Sequence, residues 1–105
     1  MTNSQQIQEF IESENKSHDV VIWSKSYCPY CAQTKKLFRS MPNVNVAVHE
    51  LDQTEDGAFI QRELLRMTGQ CTVPSVFVQG EHIGGNDDTQ TAFRTGKLDE
   101  MIRVK

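Results

Sequence analysis

Apolar positions change their spacing several times along the chain. Ile7, Phe10 and Ile11 recur at helical spacing with Gln and Glu between them, which predicts an N-terminal helix capped by Thr2 or Ser4. Asp19 to Ser24, "DVVIWS", is a short run rich in β-branched residues and predicts a central strand covered on both faces, with Trp23 in the core. Pro29 falls where a helix would begin. Cys31, Thr34, Leu37, Phe38 and Met41 then lie along one face, so the helix is expected to reach Met41 before Pro42 stops it. Val44 to Leu51 alternates apolar residues and reads as a second strand. A helix follows with Ile60, Leu64 and Met67 on one stripe and Gly69 just past its end. "SVFV" and "EHIG" flank Gln79-Gly80, a hairpin signal. Asp87 or Asp88 is the expected cap of a further helix ending near Gly96, and Leu98, Met101 and Ile102 form the apolar edge of a short last helix.

The resulting order is α, β, α, β, α, β, β, α, α. The first β-α-β is expected to be parallel with a right-handed crossover and the last two strands antiparallel. That makes an α/β domain: a four-stranded mixed sheet with helices on both faces, in which the first strand delivers Cys28 to the start of a helix. The 105 residues fit one domain, 1–105. Hydrophobic residues make up 37% of the chain, enough for a modest core, and no apolar run is long enough to span a bilayer. The first ten residues lack the basic start and apolar stretch of a signal peptide, so a reducing compartment, the cytoplasm, is expected. A net charge of -3 argues against nucleic acid as a partner.

Three cysteines in a reducing compartment read as redox, metal or packing residues rather than as a disulfide framework. Two of them, Cys28 and Cys31, are separated only by Pro29 and Tyr30. Cys28 is expected at a helix N-cap, where free N–H groups and the helix dipole favour an anion, with Lys25 three residues earlier adding positive charge. Cys31, one turn further in on the core-facing stripe, is expected to be less exposed and less acidic. The spacing suits an attacking thiol and a resolving thiol, since residues three apart at a helix start can close a disulfide without large backbone movement. An acidic thiol gains little as a nucleophile but leaves readily when another thiol attacks its mixed disulfide, so such a site passes a small thiol adduct onward. A zinc site built on Cys28, Cys31, Cys71 and His49 or His82 is disfavoured, because the second half holds no Cys-x-x-Cys and no close His pair. No metal is expected. Cys71 is expected to be buried and inert.

"CPYC" at Cys28 to Cys31, "TVPSVFV" at Thr72 to Val78 and "GGNDD" at Gly84 to Asp88 together resemble the dithiol class of glutaredoxins, over nearly the whole chain and in the family's order and spacing. The resemblance implies a thioredoxin-like fold and a glutathione-disulfide oxidoreductase in which Cys28 and Cys31 are catalytic. It implies no tightly bound cofactor, with glutathione as the cosubstrate. It further implies that the Val73–Pro74 bond is cis, although trans is the expectation for an unselected X–Pro bond. The backbone of Val73 would then pair with the extended tripeptide. The other implied contacts are Thr72 and Pro74 in the same loop, Gly85 for close approach, and the helix start at Asp87 and Asp88 for the γ-glutamyl carboxylate and ammonium. Lys25 and Gln61 would hold the glycyl carboxylate, and Tyr30 would flank the tripeptide. Asn86 stands where some relatives carry an extra cysteine. The implied partners are glutathione and glutathionylated or disulfide-containing proteins, with electrons supplied indirectly by glutathione reductase and NADPH. No nucleic acid or membrane partner is expected, and the chain is expected to be a monomer.

Two rival functions are set aside on particular residues. A thioredoxin would carry Gly-Pro, not Pro29-Tyr30, between its cysteines and would leave "GGNDD" unexplained. An iron–sulfur carrier, a dimer sharing a cluster through one Cys28 from each chain and two glutathiones, resembles relatives with a single active-site cysteine. Cys31 and the stiffening Pro29 both argue against it here.

Overall fold

The computed structural model describes residues 3–103. The elements are α1 (Ser4–Ser17), β1 (Val20–Ser24), α2 (Pro29–Arg39), β2 (Val46–Glu50), α3 (Gly57–Thr68), β3 (Ser75–Val78), β4 (Glu81–Gly84), α4 (Asn86–Arg94) and α5 (Lys97–Arg103), in the order the sequence predicts. The sheet order is β2-β1-β3-β4. β1 runs parallel to β2, with Val20 opposite Val46 and Ser24 opposite Glu50, and antiparallel to β3; β3 and β4 form the antiparallel hairpin. Gln79 and Gly80 both take positive φ, 52° and 81°, as a two-residue hairpin turn demands.

β1 lies inside the sheet and all five of its residues are buried, the physical reason for its unbroken apolar run. Alternation along the strand divides that run between two cores. Val21 and Trp23 pack with Ile7 and Ile11 of α1 and Ile60 and Leu64 of α3. Val20 and Ile22 face the other way, toward Phe38 of α2, Ala92 of α4 and Leu98 of α5. Trp23 is core, as expected. Its indole N–H donates to Asn15 Oδ1 at 3.0 Å, and its ring stacks on His49 with centroids 4.5 Å apart.

The element ends depart from expectation in four places. Neither Thr2 nor Ser4 caps α1: Ser4 is already helical, Thr2 lies outside the described residues, and the cap is Asn3. Asn3 Oδ1 accepts the Gln6 N–H at 2.9 Å while Gln6 Oε1 accepts the Asn3 N–H at 3.0 Å, a reciprocal pair that selects the residue three before the glutamine. α2 ends at Arg39 rather than Met41, because the Ser40 hydroxyl donates to the Leu37 carbonyl at 2.6 Å and its N–H turns back on the same oxygen at 3.1 Å. β2 is limited to the five residues that pair with β1. Gly85, not Asp87 or Asp88, is the N-cap of α4.

Candidate active site

β1 ends at Ser24, and four residues later Cys28 is the N-cap of α2 with Pro29 as the first helical residue. The intervening turn is held at both ends. The Cys28 N–H donates to the Lys25 carbonyl at 3.2 Å. The Ser26 N–H donates to Asp52 Oδ1 at 2.8 Å, and the Ser26 hydroxyl donates to the other carboxylate oxygen. The Ser26 hydroxyl, followed by its backbone N–H, holds the Asp52 carboxyl down at about 2, from an ordinary 3.8. Ser26 and Asp52 were not singled out in the sequence; they lie on different loops, and no local pattern joins them.

Cys28 Sγ accepts the Cys31 N–H at 3.3 Å, one of the donors that a helix start leaves without an intrahelical partner. The sulfur also lies 3.8 Å from the Val73 carbonyl, to which its S–H donates. Cys28 is half-buried, whereas Cys31 is fully enclosed. Burial pushes the Cys31 thiol up from its ordinary 9.0; the Ser24 hydroxyl works against this, and the neighbouring Cys28 adds to the rise. The two thiols thus differ in setting: Cys28 is half-buried with one helix-start N–H on its sulfur, and Cys31 is enclosed beneath it, less exposed as its place on the core-facing stripe predicts.

A cavity of about 760 Å³ opens beside Tyr30. Thr72, Val73 and Pro74 line it, and so do Gly85, Asp87 and Asp88 at the start of α4. The Val73–Pro74 bond is cis, as the family resemblance implies. Tyr30 is 60% exposed, as a flank must be. The start of α4 is held in place by α2. Asn86, almost fully buried, accepts from the Thr34 hydroxyl at 2.9 Å and donates to Gln33 Oε1 at 2.9 Å, fastening the start of α4 to α2. Asp88 reaches back to accept the Gly85 N–H at 3.2 Å. Gly84 permits this: its φ is +134°, and a Cβ at this position would overlap the Asp88 carboxylate.

Two predicted glutathione contacts stand apart from this cavity. Lys25 is half-buried in the turn before Cys28, and neither it nor Gln61 lines the cavity. Gln61 instead donates from Nε2 to the Cys71 carbonyl at 2.8 Å, bracing the loop from outside. Cys71 is exposed and lines the cavity, which corrects the expectation of burial. It sits in the loop between Gly69 and Pro74, where it is the backbone carbonyl rather than the side chain that Gln61 engages. Gln70 and His82 also line the cavity; the sequence offers His82 only as a ligand of the disfavoured zinc site and does not single out Gln70. Among the described residues no group of three or more His, Cys, Asp or Glu side chains is arranged to hold a metal ion.

A family model described as Glutaredoxin matches residues 20–83. Glutaredoxin-C8 of Oryza sativa subsp. japonica is 50% identical over 96 residues, covering 90% of this chain and 71% of that protein. Glutaredoxin-C4 of Arabidopsis thaliana is 46% identical over 96 residues, covering 91% and 70% respectively. Among solved structures, a buckwheat glutaredoxin–glutathione complex superposes with a TM-score of 0.89 at 41% identity, over 94% of this chain and 89% of that one.

Proposed function

The chain belongs to the glutaredoxin family and is a glutathione-dependent thiol–disulfide oxidoreductase, and from that premise we propose that it removes glutathione from protein mixed disulfides by a one-thiol route through Cys28. The observation that carries this reading is the contrast between the half-exposed Cys28 sulfur at the α2 start and the enclosed Cys31, beside a cavity with the groups to hold a tripeptide. Cys28 attacks the glutathione sulfur of the mixed disulfide. The substrate's S–S bond breaks, a disulfide forms between Cys28 and glutathione, and the protein thiolate leaves and takes up a proton. A second glutathione, as thiolate, then attacks the bound glutathione sulfur, and Cys28 departs with the electron pair. One protein thiol and one glutathione disulfide result: one disulfide is consumed and one formed, with the incoming glutathione sulfur oxidised as the protein sulfur is reduced.

Protein disulfides follow a two-thiol route. Cys28 forms the mixed disulfide, and Cys31, after losing its proton, displaces the substrate to leave a Cys28–Cys31 disulfide that two glutathiones reduce. Val73, Thr72 and Pro74 offer backbone to the tripeptide, Asp87 and Asp88 its γ-glutamyl end, and Tyr30 a flank. Lys25 and Gln61 would take the glycyl carboxylate, Gln61 with the second of its amide hydrogens. This role suits a monomer in a reducing compartment such as the cytoplasm, acting in electron transport from NADPH through glutathione reductase and glutathione to glutathionylated or disulfide-containing proteins. The test is turnover of a glutathionylated peptide with glutathione and glutathione reductase, against thioredoxin reductase as the alternative electron source. Cys31→Ser should keep or raise this activity while losing reduction of protein disulfides. If it loses both, Cys31 acts in every cycle and the one-thiol route is wrong.

A further inference from the structure

Gln70 follows the glycine that ends α3, and its side chain reaches three segments of the cavity at once. Nε2 donates to the Pro74 carbonyl at 2.8 Å and to the Thr72 carbonyl at 2.9 Å, with the Thr72 hydroxyl at 3.3 Å. Two carbonyl acceptors at the nitrogen end fix the orientation of the amide, so Oε1 faces His82 and accepts from its Nε2 at 2.9 Å. His82 Nε2 therefore carries the proton. Its ring rests on the buried Phe77 of β3, with centroids 5.1 Å apart, and so ties the contact to the hairpin and the core. The backbone of Gln70 is pinned as well: its N–H donates to the Thr68 hydroxyl at 3.1 Å, which itself donates to the Leu64 carbonyl at 2.7 Å. A Cβ built on Gly85 would lie 3.7 Å from both Gln70 Nε2 and the Pro74 oxygen, so the start of α4 packs against the same junction.

We propose that Gln70, oriented by His82, is a positioning residue for glutathione: it grips the loop on either side of Val73 and thereby aims the Val73 backbone at the tripeptide. The inference rests on the glutathione reading above. Strand-like pairing depends on the direction of one N–H and one C=O. Gln70 holds the Thr72 carbonyl, which shares its peptide unit with the Val73 N–H, and the Pro74 carbonyl, one unit beyond the Val73 C=O, so the Val73 backbone is bracketed by two units fixed to β4 and α3. Without the side chain both carbonyls lose their donor and the loop can turn. The effect falls on binding of the glutathionyl group in substrate and cosubstrate alike, because Gln70 hydrogen-bonds neither sulfur of the Cys28–Cys31 pair.

The test uses the full chain with Gln70→Met, which keeps length and removes every hydrogen bond. KM for glutathione and for a glutathionylated peptide should each rise about tenfold while kcat stays within about twofold of wild type. Wild-type KM values, or a fall in kcat at unchanged KM, would overturn the inference. A second pair keeps the test alive if Gln70→Met does not fold. His82→Phe removes the donor to Oε1 and should raise both KM values about threefold; His82→Gln restores a donor and should return them to within about twofold of wild type. Equal KM values in the two His82 variants would overturn the inference. Absence of glutathione turnover in the wild-type protein would overturn the functional reading itself, and this inference with it.

Discussion

Two helix starts meet at the cavity, and they use the same backbone donors in different ways. α2 carries its own acceptor: Cys28 Sγ takes the Cys31 N–H at 3.3 Å, and the first turn contains no acidic residue. α4 begins on a glycine with no side chain, and its acceptor comes from within the helix, Asp88 reaching back to Gly85 at 3.2 Å, with Asp87 beside it. The first arrangement leaves the positive end of the helix to a single sulfur, where a developing negative charge is stabilised. The second pairs N–H donors with carboxylates, which suits a group carrying both an anion and a cation, as the γ-glutamyl end of glutathione does. The buried Thr34–Asn86 hydrogen bond, 2.9 Å long, keeps the two starts in register. On the proposed reading one helix start serves the reacting atom and the other serves recognition, and the difference lies in which residue supplies the cap.

The contrast breaks most completely at its sulfur. Cys28→Ser should abolish thiol transfer of every kind, since no other half-exposed thiol stands at a helix start; residual turnover would move the chemistry elsewhere. Alkylation mapped by mass spectrometry sharpens the same point. At neutral pH Cys28 and the exposed Cys71 should be modified and Cys31 spared, and Cys31 should react only once the pH exceeds its ordinary 9.0, because burial raises its folded value and holds it as the thiol below that pH.

On the α4 side the largest effect should come from Gly84→Ala. The positive φ and the overlap with the Asp88 carboxylate together should cost about 1–3 kcal/mol of stability in urea unfolding and weaken glutathione use with it. A variant as stable as wild type would show that Asp88 moves aside freely. Asp88→Ala removes the carboxylate without backbone strain and should raise KM for glutathione about fivefold, the worth of one exposed charge-assisted contact. An unchanged KM would confine Asp88 to capping.

The smallest effect concerns the turn before Cys28. Asp52 has a folded pKa below its ordinary 3.8, so its contribution is complete above that pH and is lost as pH falls through about 2. Denaturation midpoints should therefore decline across this acid window in wild type and less so in Asp52→Asn. Parallel declines would mean that the Ser26–Asp52 contact does not support the turn.

Much of this protein is legible in order along the chain, because helices, hairpins and caps depend on residues within about four positions of each other. Pro29 marks the start of α2 and places Cys28 at the cap; Gln79-Gly80 marks the hairpin; the unbroken run of β1 signals a strand buried on both faces. Even at the α1 cap, where the chain pattern favours Thr2 or Ser4, the reciprocal pairing of Asn3 with Gln6 is present in the sequence as a three-residue spacing. Other features exist only where distant segments meet. Cys71 looks like a small apolar residue beside a strand, and only the course of the loop past Gln61 leaves it exposed. Gln61 matches a ligand position by family pattern, yet its amide is engaged by a carbonyl ten residues on. Gln70 and His82 carry no signal of their own, since a glutamine after a helix-ending glycine and a histidine in an edge strand are ordinary residues. Tertiary folding brings them to within 2.9 Å of each other and sets Gln70 against two loop carbonyls, because hydrogen bonds between elements depend on packed geometry and leave no periodic trace in the sequence.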